Sequence, residues 1–526
     1  MTGPASGTRR AILLRRPGTS RRGQDMANDG GRRRFRSRFS RAAMRAWIMD
    51  NKFFALALTG GLLLRIDTEL GYQWQAWFND SFTYVSDVIN LHPDTTRPAG
   101  YPIFLKLLEP LHSYAVVTIL QHLMGLAIAV MIYALARYRF GAPRWIATLA
   151  TLPVLFDGFQ IQLEHLILSD VPFEFLIAAA TTLLLWDRKP SWPRCTLIGL
   201  ILGVADTVRS VALPLLPIFL VYILLARIGW KALLSALVAC LAPILLYCTW
   251  FYSFYGQFAM TESTGVFLYS RVMAFAECSK MHGLPAGELS LCTTTPPDKR
   301  PISQDYIWDR FSPLDRFPPT VFSDPPNQLG EDFAKRAILA QPLSYAKIVA
   351  YDTIRVFEWK RYVFPDPATY DEYLFGYKSL GVPARAHVGS YRSTEAYYIR
   401  GNPATHVVEP FAGGMRVWQR YIFLPGTVYG AILAVGLAGL VLNWRRLGGP
   451  ATVPWLISVG LIVVPAATAE FDYRYVLVAV PFGCLAAAMA FGTNTKMGNG
   501  LATRQGATGK IQKFVLRSDA PNMSRQ

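Results

Sequence analysis

The sequence predicts an all-α polytopic membrane protein with about ten transmembrane helices and a mixed extracytoplasmic domain. Three observations carry this. Of 526 residues, 52% are hydrophobic and 17% charged, and the mean hydropathy is +0.24, too apolar for an ordinary soluble domain. Runs such as "AVVTILQHLMGLAIAVMIYALA" reach the ~20 apolar residues that cross a bilayer. Basic residues recur in every second short loop.

The N-terminal tail, residues 1–45, precedes the first apolar run. Residues 1–46 hold thirteen arginines against two acids, Asp25 and Asp29. Such a run can bind nucleic acid. Its place before a first membrane helix instead predicts a disordered cytoplasmic anchor, because arginines there hold that end inside. No apolar core of signal-peptide type precedes Met44, and Met26 is a second candidate start.

Hydropathy places spans near 46–66, 113–136, 145–158, 166–186, 195–208, 211–227, 231–254, 420–442, 452–469 and 475–492. With the N-terminus inside, the inside loops are "RYRFGAPR", "DRKPSWPR", "ARIGWK" and "NWRRLGG", all basic, and the C-terminal tail carries lysines. The expected organisation is an N-terminal transmembrane module over 46–254 and an extracytoplasmic domain over 255–419. C-terminal helices over 420–492 and a disordered cytoplasmic tail over 493–526 complete it. The protein is expected in the plasma membrane, with both termini cytoplasmic.

This topology sends the unusual polar residues to the outer face. They are Asp67, Asp80 and Asp87, then Glu164, His165 and Asp170 of "QLEHLILSD", Arg209 of "ADTVRSVALP", and Glu470, Asp472, Arg474 and Tyr475 of "AEFDYRYVL". Ionisable residues at membrane depth are unfavourable and mark function. Asp80 in "WFNDSFTYVSD" has two readings, a base for an incoming hydroxyl or a helix N-cap. Asn79 also opens a weak glycosylation sequon. In "TRPAGYPIFLKLL" two prolines break the chain and restart a helix, either as punctuation or as a floor that turns Arg97 or Lys106 toward a phosphate. Asp170 has the bland reading of an N-cap. Arg209 and Arg474 suit a phosphate through their planar forks, or pair internally with Glu470 or Asp472.

Within 255–419, "EDFAKRAILAQPLSYAKIVAYDTIRVF" predicts two helices with a proline at the start of the second. Tyr345, Ile348, Val349 and Val356 fall on one face. No strand pattern or repeat stands out. Cys195, Cys240, Cys248 and Cys484 fall in spans as buried thiols. Cys278 and Cys292 alone lie outside, where an oxidising compartment favours a disulfide over two free thiols. No Cys/His cluster has zinc spacing. No metal site or cofactor is expected, although a divalent-cation requirement stays open.

Together these pieces resemble the GT-C superfamily of integral membrane glycosyltransferases, and within it the protein O-mannosyltransferase and aminoarabinose-transferase branch (glycosyltransferase family 39-like). The matches run in order: Asp80 in the first outer loop, the break "RPAGYPIFL", "LEHLILSDVPF" entering a helix, Arg209 between central helices, and "EFDYRYVLVAVP" near the end. They cover residues 46–255 and 420–490. Asp80 is followed by Ser81 where many relatives have a second acid, and the outer domain sits between spans seven and eight. The resemblance implies a hexosyl or pentosyl transferase of the cell envelope. It would use a sugar on a polyprenyl phosphate, a glycan, lipid or protein acceptor, and inversion by single displacement. It implies Asp80 as catalytic base and Arg97, Lys106, Arg209, Arg474 and Tyr475 around the donor phosphate, with Asp67, Glu164, His165, Asp170 and Glu470 in support. No nucleic acid is expected as partner. The rival classes are a lipid-linked glycan flippase, a glycan ligase or polymerase, and a non-catalytic scaffold. A flippase should carry polar residues through its spans to both faces, whereas the inner halves here are apolar.

Overall fold

The structure, a computed structural model, describes residues 41–309, 312–378, 391–442 and 449–492. Most of the expected N-terminal tail, the loop 443–448 and the expected C-terminal tail lie outside the described residues. The chain divides into two compact units, Met1–Ala55 and Leu56–Gln526. Helix α1 covers Arg41–Asp50 and α2 covers Lys52–Gly71.

Two short helices follow, α3 (Asn79–Ile89) and α4 (Gly100–Leu108). Next comes α5 (Tyr114–Ala134), a helix without a charged residue that continues through a wider turn to Arg139. The run 145–158 is not one helix. It forms Arg144–Leu149 and Leu152–Phe156, because Pro153 supplies no N–H to a helix arriving from Arg144. Asp157 then caps α6 (Gly158–His165), accepting the Phe159 N–H at 2.8 Å. Four apolar helices complete the first half: α7 (Asp170–Trp186), α8 (Trp192–Val208), α9 (Leu216–Leu225) and α10 (Trp230–Tyr255).

The described residues of the segment 256–410 are helical and irregular. They include α11 (Thr264–Val272), α12 (Asp324–Ala340) and α13 (Pro342–Arg355), the last with its proline at N1 as expected. Tyr269, Leu291, Leu314, Phe333 and Ala337 form its core, and Tyr345 and Ile348 pack against them. A disulfide joins Cys278 to Cys292, with Cα atoms 6.1 Å apart. Among the described residues the only strands are β1 (Tyr72–Gln73) and β2 (His406–Val407), an antiparallel pair. The segment packs on the apolar helices directly, as where the Tyr345 hydroxyl donates to the Ala467 carbonyl at 3.0 Å.

The chain closes with α14 (Phe411–Tyr421), bent by 59° against α15 (Gly426–Leu442), and with α16 (Thr452–Thr468) and α17 (Tyr473–Ala490). Among the described residues four helices are long and apolar enough to cross a membrane: Tyr114–Arg139, Trp230–Tyr255, Gly449–Thr468 and Tyr473–Ala490. The bent pair makes five if it counts as one span. Leu197 and Leu200 on α8, and Leu234, Val238 and Leu246 on α10, stand exposed. Hydrocarbon would cover such faces.

The far end of α10 is aromatic. Tyr247 and Trp250 meet edge to face at 5.7 Å, as do Trp250 and Phe254 at 6.2 Å. This end grips the loop before α4: the Tyr247 hydroxyl accepts the Ala99 N–H at 3.2 Å, and Tyr255 donates to the Pro93 carbonyl at 2.8 Å.

Candidate active site

Asp80 is placed by the start of α3. Phe78 is the N-cap, with extended backbone (φ −131°, ψ 160°), and Ser81 turns its hydroxyl back to accept the Phe78 N–H at 3.0 Å. Ser81 therefore takes the capping role that the sequence offered to Asp80. Ser81 is fully buried.

Two arginines hold the Asp80 carboxylate, Arg97 through Nη2 and Arg474 through Nη1, each at 2.7 Å and on separate oxygens. Arg97 is set by an Asx turn in which Asp94 accepts the N–H groups of Thr96 at 2.7 Å and Arg97 at 3.0 Å. Gly100 then lets this loop lie on the end of α8: a Cβ there would stand 2.4 Å from the Thr207 carbonyl oxygen. Gly100→Ala should force the two backbones apart. We expect a loss of roughly 1–3 kcal/mol in stability and lower transfer, read by thermal melting and turnover. An unchanged melt would show that the close approach is not needed.

Arg209 is the C-cap of α8, in extended backbone (φ −151°, ψ 123°). Its guanidinium pairs with fully buried Asp170 and lies 5.1 Å from the Tyr475 ring centre. Asp170 is not the cap of α7; Ser169 is. Asp472 caps α17, accepting the Arg474 N–H at 3.0 Å and its Nε at 2.9 Å, and it also accepts the Tyr373 hydroxyl at 2.5 Å. The Arg474 guanidinium lies 4.7 Å from the Phe78 ring centre and 5.3 Å from that of Tyr475. Tyr475 thus stands between Arg209 and Arg474. Three arginines and three aspartates converge from α3, the loop before α4, α7, α8 and α17.

Burial opposes ionisation of Asp80, but Arg474 and Arg97 outweigh it and hold the carboxyl well below its usual range. Glu372 adjoins the group, accepting the Asn79 N–H at 3.0 Å. Burial pushes its carboxyl up to about 8, against that hydrogen bond and helped by the Asp80 charge, so it keeps its proton at neutral pH.

Other expected residues lie elsewhere. Lys106 pairs with Glu109 at 2.6 Å, one turn along, and is not tied to the arginine group. Glu470 faces Gln304, which donates to it at 2.5 Å, rather than Arg474. Asp67 sits on α2 beside Gly414. Glu164 and His165 belong to a second buried cluster. There the Arg65 fork binds Glu164 at 2.7 and 2.6 Å, and His122 meets Glu164 at 2.9 Å. Sequence reasoning missed Tyr373 and Glu372 of the first group, and Glu69 and His122 of the second.

Fold and site together define a helical membrane protein with a buried arginine–carboxylate group at the ends of apolar helices. No family model matches the sequence, and comparison with curated proteins finds no relative. Two solved structures align. One is the archaeal oligosaccharyltransferase AglB from Archaeoglobus fulgidus in complex with an inhibitory peptide and a dolichol-phosphate. It is 11% identical over 91% of this chain and 53% of that one, with a TM-score of 0.38. The other is the Archaeoglobus fulgidus oligosaccharyltransferase in the apo form, 13% identical over 90% and 52%, with a TM-score of 0.40. The chain spans about half the length of the chains it matches, and at this degree of overlap the likeness assigns neither activity nor substrate.

Proposed function

We propose that this protein is a GT-C-type integral membrane glycosyltransferase that moves a sugar from a polyprenyl-phosphate donor to an extracytoplasmic acceptor, with inversion. The convergence of Arg97, Arg209 and Arg474 on Asp80 and Tyr475 carries the reading. The proposal includes about ten crossings, cytoplasmic termini and a site at the outer face, as the basic loops support. It also includes a place in the protein O-mannosyltransferase and aminoarabinose-transferase branch.

Asp80 occupies the forks of Arg97 and Arg474. A donor phosphate offers the same acceptors and competes for them. Freed from its cations, Asp80 becomes a stronger base. The acceptor hydroxyl oxygen then bonds the anomeric carbon, its proton passes to Asp80, and the bond from that carbon to the phosphate oxygen breaks. Polyprenyl phosphate leaves with the bonding pair, stabilised by the arginines.

The test uses the purified full chain in lipid vesicles, with defined polyprenyl-phosphate hexoses and pentoses and an envelope extract as acceptor source. Transfer should appear as acceptor-dependent release of polyprenyl phosphate. Movement of intact donor between leaflets without cleavage would establish the flippase instead. Consumption of oligosaccharide-bearing lipids alone would establish the ligase.

A further inference from the structure

Glu69, His122 and His165 come from three segments, α2, α5 and the end of α6, and their ligand atoms lie within 4.8 Å of one another. Neighbouring groups set the tautomer of each imidazole. The Arg65 fork holds Glu164 as a carboxylate, which only accepts hydrogen bonds. His122 Nδ1, 2.9 Å from that carboxylate, must therefore carry its proton. His165 Nε2 lies 2.7 Å from the Tyr72 carbonyl oxygen, another pure acceptor, and must carry its own.

The remaining nitrogens, His122 Nε2 and His165 Nδ1, then face each other with lone pairs at 3.3 Å. Glu69 Oε1 stands 3.7 Å from the first and 3.8 Å from the second. Both Glu69 oxygens are shut off from water without a hydrogen-bond partner. The Thr118 hydroxyl is directed at the carbonyls of Trp74 and Ala115, each at 3.1 Å. Arg65 is occupied by Glu164, so it offers Glu69 no partner. The two imidazole lone pairs and a carboxyl without a hydrogen-bond partner converge here, an arrangement that is unfavourable in a buried site.

We propose that Glu69, His122 Nε2 and His165 Nδ1 bind a divalent cation of the zinc class. Bonds of about 2.0–2.1 Å at tetrahedral angles put ligand atoms roughly 3.3 Å apart, close to the spacing here. Two imidazoles and a carboxylate suit zinc rather than magnesium or calcium, which take oxygen ligands. Glu164 supplies the carboxylate that orients a ligating histidine. Gly125 on α5 makes room for it, since a Cβ there would lie 2.1 Å from Glu164 Oε1. Three protein ligands leave a fourth position for water. The site is separate from the Asp80 group and does not depend on the proposed transfer reaction.

The competing arrangement puts a proton where the metal would be, on the Glu69 carboxyl, which would then face the two imidazole lone pairs. Metal content of the full chain, purified in detergent without chelator, separates the two. We expect about one zinc per chain and a fall in melting temperature on stripping with chelator. Zinc should reverse the fall, and cobalt(II) should give the visible bands of a four-coordinate ion. Glu69→Gln and His165→Gln should weaken zinc binding by more than the ~10–100-fold that loss of an outer partner costs, while His92→Gln should leave it unchanged. A wild-type chain that carries no zinc, takes up neither ion after stripping and melts at the same temperature throughout would overturn the proposal. That measurement decides even if the variants fail to fold.

Discussion

Asp80→Asn is expected to lower transfer by about 10²–10⁴-fold, the contribution of a general base, while donor affinity rises. The two effects have one origin. Asp80 now holds Arg97 and Arg474 at 2.7 Å each, and a donor phosphate must displace it. Asparagine keeps the shape but not the charge, so it competes less for the arginines and cannot take the acceptor proton. The variant should also melt at a lower temperature without donor, because two nearly buried guanidinium groups lose a shared counter-ion. Donor lipid should restore most of that loss. Donor binding and single-turnover rates of the variant in vesicles are the measurements. Near-normal turnover would remove Asp80 from the chemistry. Weakened donor binding with proportionately reduced turnover would reduce it to a positioning residue.

Arg474→Lys is expected to weaken donor binding and lower turnover together. Arg474 bonds Asp472 through Nε and Asp80 through Nη1 and lies over Phe78. A lysine ammonium keeps the charge but cannot make this forked contact. Each lost bond to a charged group is worth about 1.5–3 kcal/mol, so the fall should be roughly 10- to 150-fold per bond. Stability should fall as well, since the ion pairs with Asp472 and Asp80 are part of the resting fold. The discriminating readout is the donor: it should raise the melting temperature of the wild type markedly and that of the variant little. Arg209→Lys, opposite Asp170, should behave in the same direction. Unchanged KM for donor in both variants, with lowered melting temperatures, would refute the phosphate role.

Much of this site could be read before folding, for a simple reason. A charged residue at the end of an apolar helix is disfavoured in lipid, so Asp80, Asp170, Arg209 and Arg474 have mainly one another to meet. Their convergence needs only common sidedness, which the basic loops predict. The partners were less legible. "NDS" reads as a cap on Asp80, yet Ser81 caps and frees the aspartate for its arginines. The break in "TRPAGYPIFLKLL" offers Arg97 or Lys106 to a phosphate, but the helix turn puts Glu109 within reach of Lys106. Tyr373 and Glu372 arrive from a polar segment with no periodicity to place them. Glu69, His122 and His165 lie on separate segments, and a search for local ligand pairs cannot see a set assembled by tertiary contact. Pro153 splits the expected span over 145–158 into two short helices, a break that apolar content alone does not reveal.

The aromatic end of α10 has a consequence for where the site sits. Its 26 residues make a rod of about 39 Å, against a hydrocarbon layer of about 30 Å. The surplus must emerge or be absorbed by tilt. Tyr247, Trp250, Phe254 and Tyr255 suit the headgroup zone, where amphipathic rings settle. Because Tyr247 and Tyr255 clasp Ala99 and Pro93, on either side of Arg97, the depth of that arginine follows the depth of the ring cluster. Under the proposed transfer, hydrophobic mismatch would then act on the site: a thicker bilayer would draw the clasped loop toward the acyl chains and a thinner one would lift it into water. The lipid composition of the host membrane would then set how readily a prenyl-bound headgroup finds its cation.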